Sequence, residues 1–206
     1  MNFAIVFSMN LYNKKDWMGV VLCGGKSSSF GVDKGLLRVA DKELVLHCYS
    51  FLCTTIPNVV LSVNDKQFPL YKRKFNDLEL IVDSNQVKGP LSGILSVYSA
   101  YRVFNFIVST YDRIGLHQQM IKDLMGQFDK NPGYDFYVYK RNDKIEPFCG
   151  LYTASGLEKV YNLYNQGVLM GKSLREVILM SNTLVVPIIL EYQDSFDVYE
   201  EKFRIA

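Results

Sequence analysis

The stretch "VVLCGGKSSSFGVDKGLL", residues 20–37, sets paired glycines, a serine run and an Asp33-Lys34 step directly behind an apolar segment. Glycine at such a place lets backbone N–H groups approach an anion with no Cβ in the way. Gly24 and Gly25 would form a cradle of this kind. Gly31 permits another tight turn, and Lys34 supplies a point charge suited to phosphate. Two further stretches have a similar character: "GPLSGI" (89–94), with Gly89, Pro90 and Gly93 at the mouth of an apolar helix, and "IVSTYDRIGL" (107–116), with Asp112 just past an apolar run. Asn64 and Asp83 also follow apolar runs directly.

Each of these features also has a plainer explanation. Paired glycines after a strand serve turns for steric reasons as often as they serve ligands. A Gly-Pro step can simply open a helix, and Asp112 can cap one that starts near Leu116. Asn64 and Asp83, taken singly, read as turn or cap residues. "GVLMGKS" (167–173) looks like a P-loop, but only three residues separate Gly167 from the Gly-Lys step where that pattern needs four. Gly167 is better read as a helix stop and Ser173 as part of the next helix start.

The elements that must carry these residues alternate in type. "GVVLC" (19–23), "NVVLSV" (58–63), "LELIV" (78–82) and "FNFIVS" (104–109) read as four strands with helical segments between them, the pattern of βα units in a largely parallel sheet. Leu44, Cys48, Phe51 and Leu52 give one apolar helix face, and Leu91, Ile94, Leu95 and Tyr98 another. Beyond residue 130, "YDFYVYK" and "IEPFCGLY" flank the polar "RNDK" and predict antiparallel strands. Helices are expected at about 155–165 and 172–180, and a strand at "TLVVPII". The fold class that follows is α/β: a Rossmann-like three-layer α/β/α core whose mostly parallel sheet holds one or two antiparallel strands. In such sheets ligands gather beyond the carboxyl ends of the strands, where the glycine stretches and Asp112 fall.

Composition bounds the rest. With 206 residues and no linker, one domain is expected at 18–206, preceded by an N-terminal extension over 1–17. A net charge of +2 without any run of five like charges argues against nucleic acid as a partner, and "YKRKF" (71–75) reads as a solvated helix face. Four cysteines without a C-x-x-C pair argue against a disulfide framework or zinc and fit the reducing cytoplasm. The apolar stretch at the start is too short for a membrane span. His47 and His117 lie outside every stretch named above.

Leu22, Gly24, Gly25, Ser27, Gly31, Asp33 and Lys34, spaced L-x-G-G-x-S-x-x-x-G-x-D-K, resemble the signature loop of the molybdenum cofactor guanylyltransferases, nucleotidyltransferases of the nucleotide-diphospho-sugar transferase-like superfamily. "GPLSGI" and "EPFCGLY" (146–152) resemble further segments of that family, and "FDVYEE" only faintly resembles its final element. The resemblance implies transfer of GMP from GTP to molybdopterin with release of pyrophosphate. It implies that Leu22, Cys23, Gly24, Gly25, Gly31, Lys34, Asn64, Asp83, Gly89, Gly93 and Asp112 contact the nucleotide, with Lys34 and Asp112 catalytic and Asp112 holding Mg²⁺. The partners implied are GTP, molybdopterin, and molybdoenzymes or their chaperones. The sequence departs from the family at Ser29 and Phe30, where Arg and Met are usual, and at Arg113 and Ile114, where Met and Pro are usual. Arg113 restoring the charge missing at Ser29 is one expectation. Two others stay open: cytidylyl or other nucleotidyl transfer to a small phosphate, and a degenerate non-catalytic nucleotide-binding protein.

Overall fold

The computed structural model describes residues 16–24, 33–84, 87 and 89–199. Seven strands form one sheet in the order β5-β4-β1-β6-β8-β7-β9. They are β1 (Trp17–Leu22), β4 (Asn58–Val63), β5 (Leu80–Val82), β6 (Asn105–Thr110), β7 (Phe136–Arg141), β8 (Lys144–Tyr152) and β9 (Thr183–Pro187), while β2 (Arg38–Val39) and β3 (Lys42–Glu43) make a small separate hairpin. The helices are α1 (Leu44–Cys53), α2 (Phe68–Lys74), α3 (Pro90–Ala100), α4 (Gln118–Lys130), α5 (Ala154–Asn165) and α6 (Leu174–Met180).

β1 is buried along its whole length, as expected of a central parallel strand covered on both faces. Its side chains alternate: Trp17 and Val21 enter a core completed by α1, α2 and α4, whereas Met18, Val20 and Leu22 enter a second core under α3, α5 and α6. The three-layer α/β/α expectation therefore holds. β1 pairs in parallel with β4 and β6, and β4 with β5. Within the large sheet β8 alone reverses direction, pairing antiparallel with β6 and β7.

The β7–β8 connection is tighter than the sequence suggests. Arg141 pairs with Lys144, and Asn142 and Asp143 take φ of 45° and 62°, the left-handed pair of a two-residue hairpin turn. A register shift follows: Val138 pairs with Gly150 but Tyr139 with Glu146, so Pro147, Phe148 and Cys149 bulge out of β8. A Cβ at position 150 would sit 2.5 Å from the Pro147 carbonyl oxygen, which is why glycine follows the bulge.

Other elements follow the sequence with small shifts. Trp17, placed with the extension by the sequence, is only 4% exposed and stacks edge-on against Phe128. Residues 1–15 lie outside the described residues. The "YKRKF" run is a solvated face only in part: Lys72 and Arg73 are exposed, Lys74 pairs with Glu43 at 2.9 Å, and Tyr71 and Phe75 are core. At the P-loop look-alike, Gly167 (φ 75°) ends α5, with Gly167 N–H to Tyr164 and Val168 N–H to Leu163, and Ser173 forms a capping box with Glu176. All four cysteines are free thiols. Among the described residues no helix is long and apolar enough to cross a membrane.

Candidate functional site

The carboxyl ends of β1, β4, β5, β6 and β7 lie along one edge of the sheet. Because β8 runs the other way, its opening residues reach that same edge. Leu22, Cys23 and Gly24 close β1, Asn64 follows β4, Asp83 follows β5, Asp112 lies two residues past β6, and Gly89 and Gly93 open α3. Gly25 and Gly31, together with Ser29 and Phe30, lie outside the described residues. Every other residue the sequence nominated therefore falls on this edge or, like Lys34, on a segment tied to it.

Asp83 lies across the top of β4. Its Oδ1 accepts a 2.5 Å hydrogen bond from Ser62 Oγ. A Cβ on Gly24 would stand 2.9 Å from Asp83 Oδ2, and one on Gly93 would collide with Ser62 Oγ and come within 2.9 Å of Leu22 Cδ2 and 3.3 Å of Asp83 Oδ1. Both glycines thus make room for a carboxylate that spans from β5 to β1. Burial pushes the Asp83 carboxyl up to about 6; the Ser62 bond pulls it down and nearby Asp65 adds to the rise. Leu22 directs its side chain into the core, so only its backbone is left to meet a ligand. The Cys23 thiol is buried and pushed well up, first by desolvation and then by Cys48, Asp33 and Asp83, so it stays protonated.

Lys34 opens a 3-10 helix, Lys34–Leu36, whose cap is Asp33. Asp33 Oδ1 accepts from Gly35 N at 2.9 Å and from the Tyr71 hydroxyl at 3.2 Å, and Oδ2 accepts from Gln67 Nε2 at 2.8 Å. Burial raises the Tyr71 hydroxyl far above its ordinary value, so it remains a donor. Gln67 Nε2 also donates to the Cys23 carbonyl at 2.9 Å. Asn64 N–H donates to Gln67 Oε1 at 3.1 Å while Gln67 N–H donates to Asn64 Oδ1 at 3.0 Å, the reciprocal geometry of a capping box. One glutamine side chain therefore ties together the end of β1, the end of β4 and the residue preceding Lys34. The sequence reading missed Gln67, although Asn64-x-x-Gln67 carries the spacing of that box. Asn64 accordingly closes a turn with its carbonyl oxygen, as its plainer explanation held.

Gly89 caps α3 with φ 73° and ψ −157°, a backbone conformation that favours glycine, and Pro90 takes the first helical position. Asp112 does not cap α4, which starts at Gln118 behind His117. Instead its Oδ1 accepts from Thr110 Oγ1 at 2.6 Å. Among the described residues no group of three or more His, Cys, Asp or Glu could hold a metal. A single carboxylate such as Asp112 still fits Mg²⁺, a cation that commonly takes one or two protein carboxylates and draws its other ligands from phosphate and water.

Arg113 stands apart from Gly24, Asn64, Asp83 and Gly89, on the β8 side of β6. Its Nη2 is 3.8 Å from Glu146 Oε2, and Arg141 donates to Glu146 Oε1 (3.3 Å), Asp197 Oδ1 (2.6 Å) and the Gln193 carbonyl (3.1 Å). The Arg113 Nε and Nη1 are buried with no hydrogen-bond partner among the described residues, and an unsatisfied buried donor costs about 1–3 kcal/mol. The expectation that it replaces an arginine at Ser29 turns on a residue outside the described ones. Arg141 and Glu146 were also missed: Arg141 ends β7 at this edge, and only the reversed strand β8 brings Glu146 beside it. The histidines stay outside: His47 Nε2 is 3.0 Å from the Val39 carbonyl, and His117 packs on Tyr192.

Comparison with known proteins agrees with this layout. The chain is 27% identical over 150 residues to the "Molybdenum cofactor biosynthesis bifunctional protein" of a Synechocystis strain, covering 73% of this chain and 43% of that protein. It therefore spans under half of that relative's length. It is 30% identical over 175 residues to the "Probable molybdenum cofactor guanylyltransferase" of Pyrococcus furiosus, covering 83% of this chain and 84% of the relative. The crystal structure of molybdopterin-guanine dinucleotide biosynthesis protein A from Archaeoglobus fulgidus superposes with a TM-score of 0.65 at 19% identity, covering 87% of each chain, and so shows a shared fold. The MobA-like NTP transferase domain matches residues 19–181, most of the sheet and all six helices, and the chain belongs to that family.

Proposed function

We propose that the protein transfers GMP from GTP to the terminal phosphate of molybdopterin. An acceptor phosphate oxygen forms a bond to the α-phosphorus while the bridging P–O bond to the β-phosphate breaks, and pyrophosphate leaves with the electron pair. The observation that carries this is the braced approach to Lys34: Asp33, Gln67 and Tyr71 fix its segment beside the end of β1, on the same edge as Asp83 and Asp112. Such bracing matters when catalysis consists of alignment and charge neutralisation.

Gly24 and Gly25 offer backbone N–H groups to phosphate, Lys34 offers positive charge, and Asp83, Gly89 and Gly93 shape the floor beneath the nucleoside. Asp112 is the residue that would hold Mg²⁺, which when bound neutralises phosphate charge and orients the reacting groups. No general base is required, because a phosphate monoester with a second pKa near 6 is largely ionised at neutral pH. That accords with both histidines lying away from this edge.

The test is pyrophosphate release by the purified chain with GTP, molybdopterin and Mg²⁺. Lys34→Ala and Asp112→Ala are each expected to slow turnover by about 10²-fold or more. Unchanged rates in both variants would overturn the assignment.

A further inference from the structure

Arg113 has five N–H donors and, among the described residues, no acceptor within hydrogen-bond reach. Its side chain is only 13% exposed, Nε and Nη1 are sealed, and Nη2 stands 3.8 Å from the nearest carboxylate oxygen. Glu146 does not complete the guanidinium: its Oε2 stands 3.8 Å away, beyond hydrogen-bond reach, while its Oε1 accepts from Arg141. Arg141, by contrast, is fully engaged with Glu146, Asp197 and the Gln193 carbonyl. Of two neighbouring guanidinium groups, one is built into the structure and the other is held ready.

The backbone that carries Arg113 is fixed from both sides. Arg113 N–H donates to the Thr110 carbonyl at 3.2 Å, and Tyr199 N–H donates to the Asp112 carbonyl at 3.1 Å. Gly115 lies against Ser195, where a Cβ would come 3.5 Å from its backbone. The C-terminal segment thus straps the loop after β6 and sets the direction of Arg113. Position decides which anion it meets. Gly24, Asn64, Asp83, Gly89 and Gly93 lie over β1, β4, β5 and α3, whereas Arg113 lies across β6 from them, beside β7 and β8.

Granted the transfer chemistry proposed above, on which this assignment rests, we propose that Arg113 binds the phosphate monoester of the acceptor, on the β8 side of Asp112. Guanidinium matches phosphate oxygens with paired hydrogen bonds, which an ammonium cannot reproduce. Nη2, the nitrogen that is not sealed, meets the phosphate first, and displacement of the Glu146 carboxylate opens the remaining donors. Arg113 thereby holds the attacking oxygen on the far side of Asp112 from the leaving pyrophosphate.

The test uses the full chain with Arg113→Met, which keeps bulk without charge, and Arg113→Lys, which keeps charge without the fork. Inorganic phosphate binding is measured by titration calorimetry with a non-hydrolysable GTP analogue already bound. Wild type is expected to bind phosphate under these conditions, with affinity about tenfold weaker in Arg113→Met and intermediate in Arg113→Lys. The KM for molybdopterin should rise by a similar factor while that for GTP stays within about twofold. Phosphate binding that the analogue abolishes in wild type, equal affinity in wild type and variants, or a loss confined to GTP would each overturn the proposal. If Arg113→Met does not fold, Arg113→Lys decides by the same two readings. Absence of any transfer product alongside arginine-dependent phosphate binding would count against the transfer chemistry and not against the anion site.

Discussion

The Asp83 carboxylate explains two glycines at once. From sequence, Gly24 and Gly93 read as places where backbone comes close to a nucleotide; in the fold they are also the places where a side chain would strike Asp83 or its partner Ser62. The polar residues at strand ends were legible because each follows an apolar run in the sequence. The carboxylate that crosses β4 to reach β1 was not, since it depends on strand order. A stability consequence follows from the raised carboxyl. Folding lifts Asp83 from an ordinary carboxylate value of 3.8 to about 6, so the folded protein binds that proton more tightly than the unfolded chain. Asp83 therefore contributes most to stability below pH 4, and that contribution is lost as pH rises to about 6, by up to about 3 kcal/mol. Asp83→Asn carries no such loss. It should exceed wild type in urea midpoint at pH 7.5, match it near pH 4, and bind Mg-GTP more weakly; parallel stability profiles for the two proteins would refute this.

Among the elements, the turn between β4 and α2 does the most to organise the edge. Gln67 makes three side-chain hydrogen bonds to three separate segments, those of Cys23, Asp33 and Asn64. Gln67→Leu keeps the size and removes all three. At roughly 1 kcal/mol for each bond, unfolding free energy should fall by about 2–3 kcal/mol. GTP affinity should fall as well, because Asp33 no longer fixes the Lys34 segment. Denaturant titration and nucleotide titration of the same variant check both; full affinity in a destabilised protein would show that Lys34 needs no brace. Sequence anticipated the helices and the hairpin here because 3.6-residue and two-residue periods are local signals. It did not anticipate the bulge at Pro147–Cys149, whose cause is the mismatch between β7 and β8 and the close approach at Gly150.

For the molecule as a whole, layer architecture was readable from the alternation of strand and helix, whereas the insertion of β8 between β6 and β7 was not. The edge thus has one part built by β1, β4, β5 and α3 and another built by β6, β7, β8 and the C-terminal segment. A ligand that bridges segments so far apart in sequence stabilises the entire fold. Mg-GTP at a hundred times its dissociation constant should add about 2.7 kcal/mol and raise the melting midpoint by about 5–10 °C. CTP, ATP and UTP should give smaller shifts in the same thermal scan. Equal shifts for all four nucleotides would remove guanine preference from the proposed function.

The place of β1 in the sheet has a consequence for biosynthesis. Among the described residues it is the first of the sheet's strands to be made, and it ends in the middle of the sheet, between β4 and β6. As the chain leaves the ribosome, β4 can cover one side of it early, but its other edge has no partner until Asn105–Thr110 have been synthesised. At about 5–20 residues per second, that edge stays open for several seconds, a bare apolar strand of the kind that pairs with foreign chains. The same delay means that Asp112 joins the β1 part of this edge only after β6 docks, so nascent protein holds the two parts of the edge apart until the sheet can close.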